Sequence, residues 1–132
     1  MYPLRAALFI ALAAMPAVVL AGTWARIVDD KSAEIYVESD TIVRRGSIAG
    51  MRSLTNLKAG KDETAQFRFR STIQNDEYDC DRRRTRLLGF TLHSGAMGQG
   101  SILSTASEST AWRLIEPGSW NERKWRLACD RP

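Results

Sequence analysis

The 132-residue chain has a single histidine, His93, and two cysteines, Cys80 and Cys129. That shortage removes several functions. A structural zinc site takes about four nitrogen or sulfur ligands, usually with a C-x-x-C pair, and the sequence holds no such pair. Covalent haem attachment through C-x-x-C-H fails on the same ground. There is no G-x-S-x-G elbow to present a serine nucleophile, and no carboxylate is spaced to orient the His93 imidazole. Ser94 follows His93 on alternating sequence, so the two point to opposite sides of a strand. No internal repeat, low-complexity segment or linker-like break divides the chain. The expectation is a non-enzymatic protein with no metal centre.

Long apolar sequence is also scarce. The one such run, residues 6–21, falls short of the ~20 residues a spanning helix needs and contains Pro16. It follows a short positive start with Arg5 and ends on the small Ala21, the pattern of a cleavable secretory signal. Residues 1–21 are therefore expected to be removed, with cleavage after Ala21 or Gly22, leaving one domain over 22–132. Leu20 to Thr23, "LAGT", has the outline of a lipoprotein signal, but Thr23 stands where a lipid-bearing cysteine is required. The expectation is a periplasmic or secreted protein, soluble after cleavage and without a lipid anchor.

The remaining stretch of about 110 residues is one ordinary domain with a modest core. Losing Arg5 lowers the formal charge from +4 to +3, since 18 Lys and Arg then face 15 Asp and Glu. That balance is too mild to imply nucleic acid, and the compartment argues against it. In an oxidising compartment an even pair of cysteines in a small domain reads as a disulfide, Cys80 to Cys129.

Most of the chain alternates as strands. "TWARIVD" and "AEIYVES" flank the turn-prone "DDKSA" as an opening hairpin. Asp40 with Thr41 to Val43 suggests a capped turn, "SIAGMRSLTNL" a third strand, and "AGKDET" a polar loop. In "QFRFRSTIQNDEYDC", Phe67, Phe69, Ser71 and Ile73 share one face, whereas Tyr78 and Cys80 fall on the other parity, which predicts a bulge near Asn75 and Asp76. "DRRR" is a hairpin turn into "TRLLGFTL", where Leu88, Phe90 and Leu92 share a side. Ser119 with Glu122 forms a capping box after Pro117 and Gly118. Trp125, Ala128 and Cys129 then recur at helical spacing, so the disulfide pins a terminal helix against the sheet. Trp24, Trp112, Trp120 and Trp125 read as core and helix-packing residues.

Two segments carry the candidate chemistry. Arg82, Arg83, Arg84 and Arg86, joined by Arg68 and Arg70 on the neighbouring strand, form a basic surface, with Asp79, Asp81, Glu77 or Asp76 placed to neutralise part of it. "HSGAMGQG" holds Gly95, Gly98 and Gly100. Their order reverses the dinucleotide fingerprint and no helix opens after them, so they read as a structural loop. His93 with Met97 or Met51 supplies ligand types for non-covalent haem, the alternative reading.

The ordered set "W-A-R-I", "IYVESDTIVRRG", "EYDC", the arginine-rich strand, "SGAMGQG", "WRLIEPGS" and the final "W-R-L-A-C" resembles the surface-adhesin protein E-like family, from about Trp24 to Cys129. The resemblance implies an α+β fold: a single antiparallel sheet of about six strands with a C-terminal helix tethered by a disulfide. It also implies binding of host matrix and serum proteins, and a homodimer. Taken together, the residues point to a small exported binding module that contacts envelope or extracellular proteins through its basic strand, with no cofactor.

Overall fold

The computed structural model describes residues 23–64 and 67–130, with the side chains of 59–68 excepted. The expected signal, residues 1–21, lies outside the described residues. Seven strands form one antiparallel sheet: β1 (Ala25–Asp29), β2 (Ala33–Arg45), β3 (Ile48–Thr64), β4 (Phe67–Asp79), β5 (Arg84–His93), β6 (Ile102–Ala106) and β7 (Arg113–Leu114). The first six pair in chain order, and β7 joins the outer edge of β5. One helix, α1 (Trp120–Cys129), follows. The predicted fold class is therefore the observed one.

Local chemistry explains the turns. The Asp30 carboxylate accepts the backbone N–H of Ser32 at 2.8 Å and of Ala33 at 3.0 Å, which closes the β1–β2 hairpin as an Asx turn. Gly46, at φ +59°, supplies the left-handed residue of the β2–β3 turn. Ser119 caps α1, its hydroxyl accepting the N–H of Glu122 at 3.2 Å, so the sequence signal for the helix start holds.

The helix packs on one face of the sheet. Val37, Ala49, Met51, Tyr78, Ile115 and Ala128 form the buried cluster there, with Trp125, Leu127 and the cystine at its margin. The Cys80–Cys129 bond exists and ties the last turn of α1 to the end of β4. Trp125 Nε1 donates to the Asp79 carbonyl at 3.0 Å, and Arg44 Nη1 donates to the Cys129 carbonyl at 2.9 Å. Three independent links thus hold the helix C-terminus.

Several sequence expectations need correction. Asp40 to Val43 is not a capped turn but an irregularity within β2, where the register slips between Glu38 and Val43 and the Thr41 hydroxyl donates to the Glu38 carbonyl at 2.6 Å. "AGKDET" continues β3 instead of forming a loop. The register shift does fall opposite Asn75 and Asp76, but the extra residue is Leu88 on β5, because Asn75 pairs with Gly89 and Asp76 with Leu87. β4 itself pairs with β3 without interruption from Ser71 to Asp79. Its apolar parity changes because the covering layer changes sides, and the bulge separates Leu88 from Phe90 and Leu92.

Candidate protein-binding face

Pairing registers fix which residues share the helix-free face. One row across the strands reads Arg45, Ile48, Asp79, Arg84, and the next Val43, Gly50, Glu77, Arg86. A third holds Arg52 and Asn75 beside the Leu88–Gly89 bulge, and a fourth Tyr36, Leu54, Ile73 and Thr91.

The glycine-rich loop covers the far part of this face. Gly98 lies so close that a Cβ there would sit 2.7 Å from Ile73 Cδ1, and its φ is +70°. The Ser71 hydroxyl donates to the Gly95 carbonyl at 2.6 Å and accepts the Gly98 N–H at 2.9 Å, and Asn56 Oδ1 accepts the Met97 N–H at 3.0 Å. Gly100, at φ +79°, has the Ser94 hydroxyl 2.3 Å from where its Cβ would lie. Small residues here let the backbone act as a lid over Leu54 and Ile73.

The near part of the face stays open. Between Val43, Arg45, Ile48, Gly50, Glu77 and Leu88 lies a notch of about 230 Å³. Gly50 forms its floor, since a Cβ there would meet only backbone oxygens at 3.9 Å. Val43 is 53% exposed, so the notch has an apolar rim available to another molecule.

The arginines border this notch as an internally paired ladder. Arg84 Nη2 donates to Asp79 Oδ2 at 2.9 Å, and Arg86 donates through Nε and Nη2 to Glu77 Oε1 at 2.8 and 2.6 Å. The Arg84 bond, with the N–H of Arg82 and Asp81, holds the Asp79 carboxyl below the usual carboxylate range. Both guanidinium groups stack on Trp112, at 5.3 and 4.7 Å from its ring centre. Arg83 turns to the helix side, where it pairs with Glu122 and lies 5.0 Å over Trp125. Arg82 is exposed, with no side-chain partner among the described residues.

The expected basic strand is therefore divided. Arg84 and Arg86 share the helix-free face, whereas Arg70 falls on the opposite parity of β4, with a buried Nε that has no hydrogen-bond partner among the described residues. The Arg68 side chain lies outside the described residues. Of the four tryptophans, Trp125 alone packs against the core cluster; Trp112 belongs to the arginine ladder, Trp24 lies 5.5 Å from the Arg52 guanidinium, and Trp120 is 39% exposed. Val43, Ile48, Gly50 and Leu88 escaped sequence reasoning, although a glycine inside a strand was an available signal.

His93 is buried beneath the loop, and its Nε2 is 2.7 Å from the Thr91 hydroxyl. Met51 is buried in the core on the opposite side of the sheet. The two cannot flank one haem, and His93 offers no open approach for a macrocycle. Among the described residues, no cluster of three His, Cys, Asp or Glu could hold a metal ion.

On the helix side, Lys124 is buried and its Nζ lies 3.7 Å from Asp76 Oδ2. Burial pushes its ammonium pKa down against the attraction of Asp76. The same carboxylate accepts from Gln74 at 2.8 Å and Tyr78 at 3.4 Å, and burial together with Asp76 raises the Tyr78 pKa.

The molecule is thus a small α+β domain with a disulfide-tethered helix on one face of an antiparallel sheet and an open mixed surface on the other. Residues 24–130 match the family model described as surface-adhesin protein E, so the chain belongs to the surface-adhesin protein E family. Membership points to a non-enzymatic, adhesin-like protein of an exported family. Solved structures of Haemophilus influenzae protein E share the fold. Its crystal form II aligns at TM-score 0.64 and 18% identity over 89% of this chain and 94% of that one. The selenomethionine form aligns at 0.63 and 17% over 90% and 94%, and protein E from a non-typeable strain at 0.56 and 18% over 89% and 82%. No curated protein sequence matches significantly. No helix among the described residues is long and apolar enough to cross a membrane.

Proposed function

We propose that this chain is a periplasmic or secreted module that binds an extracellular protein through its helix-free face. The observation that carries this reading is the open notch over Gly50, rimmed by Val43, Ile48 and Leu88 and bordered by the Arg84, Arg86 and Trp112 stack. Arginine and tryptophan beside a concave apolar patch are the residue types that dominate binding energy at protein interfaces. Four arginines, 45, 52, 84 and 86, face three carboxylates, Glu38, Glu77 and Asp79, so the surface is close to charge balance. It selects by shape and apolar contact more than by net charge, which refines the expectation of a basic strand. Family membership supports an extracellular or host protein as the partner.

Replacing arginines is a poor test, because Arg84→Ala removes the ion-pair partner of the Asp79 carboxylate, whose side chain is only 5% exposed and keeps only the Asp81 and Arg82 N–H bonds. Gly50→Val is better. Its Cβ is in ordinary contact distance of backbone only, valine suits a strand, and the two methyls project into the notch. Binding of the purified chain to an immobilised extracellular-matrix protein coat should be saturable and fall at least about tenfold in Gly50→Val, a loss of about 1.4 kcal/mol, at unchanged thermal stability. Equal binding by both proteins removes the notch from the interface, and failure of the wild type to bind refutes the function.

A further inference from the structure

The helix–sheet interface has two unlike halves. Towards the C-terminus of α1 it is apolar and closed by the cystine. Towards the N-terminus the sheet presents Thr55, Thr72, Gln74 and Asp76 where a structural helix would be expected to bury aliphatic side chains, and α1 itself buries Lys124. Ser53, in register with Gln74, is fully buried, and its hydroxyl has no hydrogen-bond partner among the described residues. Burying polar groups in this way costs stability, and replacing a buried ion pair with apolar side chains is often neutral or favourable, so packing alone gives no reason for them.

This polar half is also concave. It opens into a cleft of about 610 Å³ between Ile35, Thr55, Thr72 and Gln74 on the sheet and Trp120, Asn121 and Lys124 on the helix. That volume suits a small molecule. Trp120 forms one wall, and its indole is held in place because Nε1 donates to Asp30 Oδ2 at 3.0 Å. The Thr55 and Thr72 hydroxyls and the Asn121 amide have no hydrogen-bond partner among the described residues. The charges of Lys124 and Asp76 face each other, so the lining is polar without being strongly charged.

We infer that this cleft is a saccharide site, taking one neutral, hydroxyl-rich sugar unit. A fixed aromatic wall offers a face for the C–H side of a sugar ring. The uncharged Thr55 and Thr72 hydroxyls on the strands and the Asn121 amide on α1 match its hydroxyls as donors and acceptors. A phosphate or carboxylate ligand would meet no free cation there, since Asp76 already neutralises Lys124. The cleft lies on the face opposite the Gly50 notch, so this inference does not depend on the protein-binding reading.

The test is a titration of the ¹⁵N-labelled, disulfide-intact chain with N-acetylglucosamine and, separately, with galactose and inorganic phosphate, followed by NMR. Saturable shifts from either sugar are expected at the Trp120 indole, Thr55, Thr72 and Asn121, with a dissociation constant of about 1 to 10 mM, as for a single sugar unit. The Thr55→Val/Thr72→Val double variant keeps side-chain shape and strand propensity, and should weaken sugar binding at least about tenfold while Gly50→Val leaves it unchanged. Absence of saturable shifts from both sugars overturns the inference. So do shifts from phosphate alone, or sugar binding that survives in a folded double variant.

Discussion

Removing the Cys80–Cys129 bond by Cys80→Ala/Cys129→Ala is expected to be the most damaging double substitution on the helix side. The bond spans a sequence separation of 49 residues. Closing a loop of that length restricts the unfolded chain by about 4 kcal/mol in the chain-entropy model, a large share of the roughly 5 to 15 kcal/mol that holds a domain together. The helix it ties down is 10 residues long, too short to persist alone. Released, it would uncover Val37, Met51 and Tyr78. The Trp125 bond to the Asp79 carbonyl and the Arg44 bond to the Cys129 carbonyl remain, so docking weakens without vanishing. At about 4 to 8 °C per kcal/mol for a domain near this size, the melting temperature should fall by roughly 15 to 30 °C. Thermal unfolding followed by far-UV circular dichroism measures it. A fall of less than about 5 °C would show that the remaining contacts, and not the covalent tether, fix the helix.

Gly98→Ala should destabilise the chain by about 1 to 3 kcal/mol in chemical denaturation, because its Cβ would collide with Ile73 in a left-handed backbone, whereas Gly46→Ala, with φ +59° but open space around it, should cost less. Ser119→Ala removes the helix cap and should cost about 1 kcal/mol by the same measurement. Asp30 has its pKa lowered to about 2, first by the Ser32 and then by the Ala33 N–H, so its stabilising effect is complete above about pH 4 and is lost as the pH falls towards 2. The Trp120 indole NMR signal should move through that acid range, and in Asp30→Asn its pH dependence there should disappear. Because the Arg84 and Arg86 charges are already paired, matrix binding should weaken less than about threefold between 0.05 and 0.3 M salt; a steep decline would restore the basic-strand reading.

The fold was legible wherever one chemical pattern had one cause. The capping box at Ser119 and Glu122 marked the helix, the two cysteines their bond, and alternation the strands. Reading failed where two layers compete for one strand. β4 has Ile73 under the Gly98 lid on one face and Tyr78 under α1 on the other, so its apolar residues change parity without any break in pairing with β3. The compensating bulge sits in β5, at Leu88, where the local sequence "RLLGF" does not reveal which strand carries the extra residue. β6 and β7 are too short and polar for periodicity to show, and they form because the edge of β5 needs partners.

The candidate face was legible only in part. The arginine run stood out, and its pairing with Glu77 followed from a hairpin with "DRRR" at its turn. What sequence could not show is that Arg83 bends to the helix, Arg70 lies on the opposite face, and Trp112 returns from 26 residues after Arg86 to stack against it. Such long-range contacts depend on the register of all the intervening strands. The Gly50 notch is hidden for the same reason, since three strands supply its rim.

The most direct test of the central claim is a methyl NMR footprint of the chain bound to a soluble matrix protein fragment that the wild type retains. The expected result is broadening of Val43, Ile48 and Leu88 methyl signals around the notch, with Ile35 and Ala128 on the helix side unaffected. Broadening confined to the helix side, with Val43, Ile48 and Leu88 unchanged, would contradict the assignment of the helix-free face as the protein-binding surface.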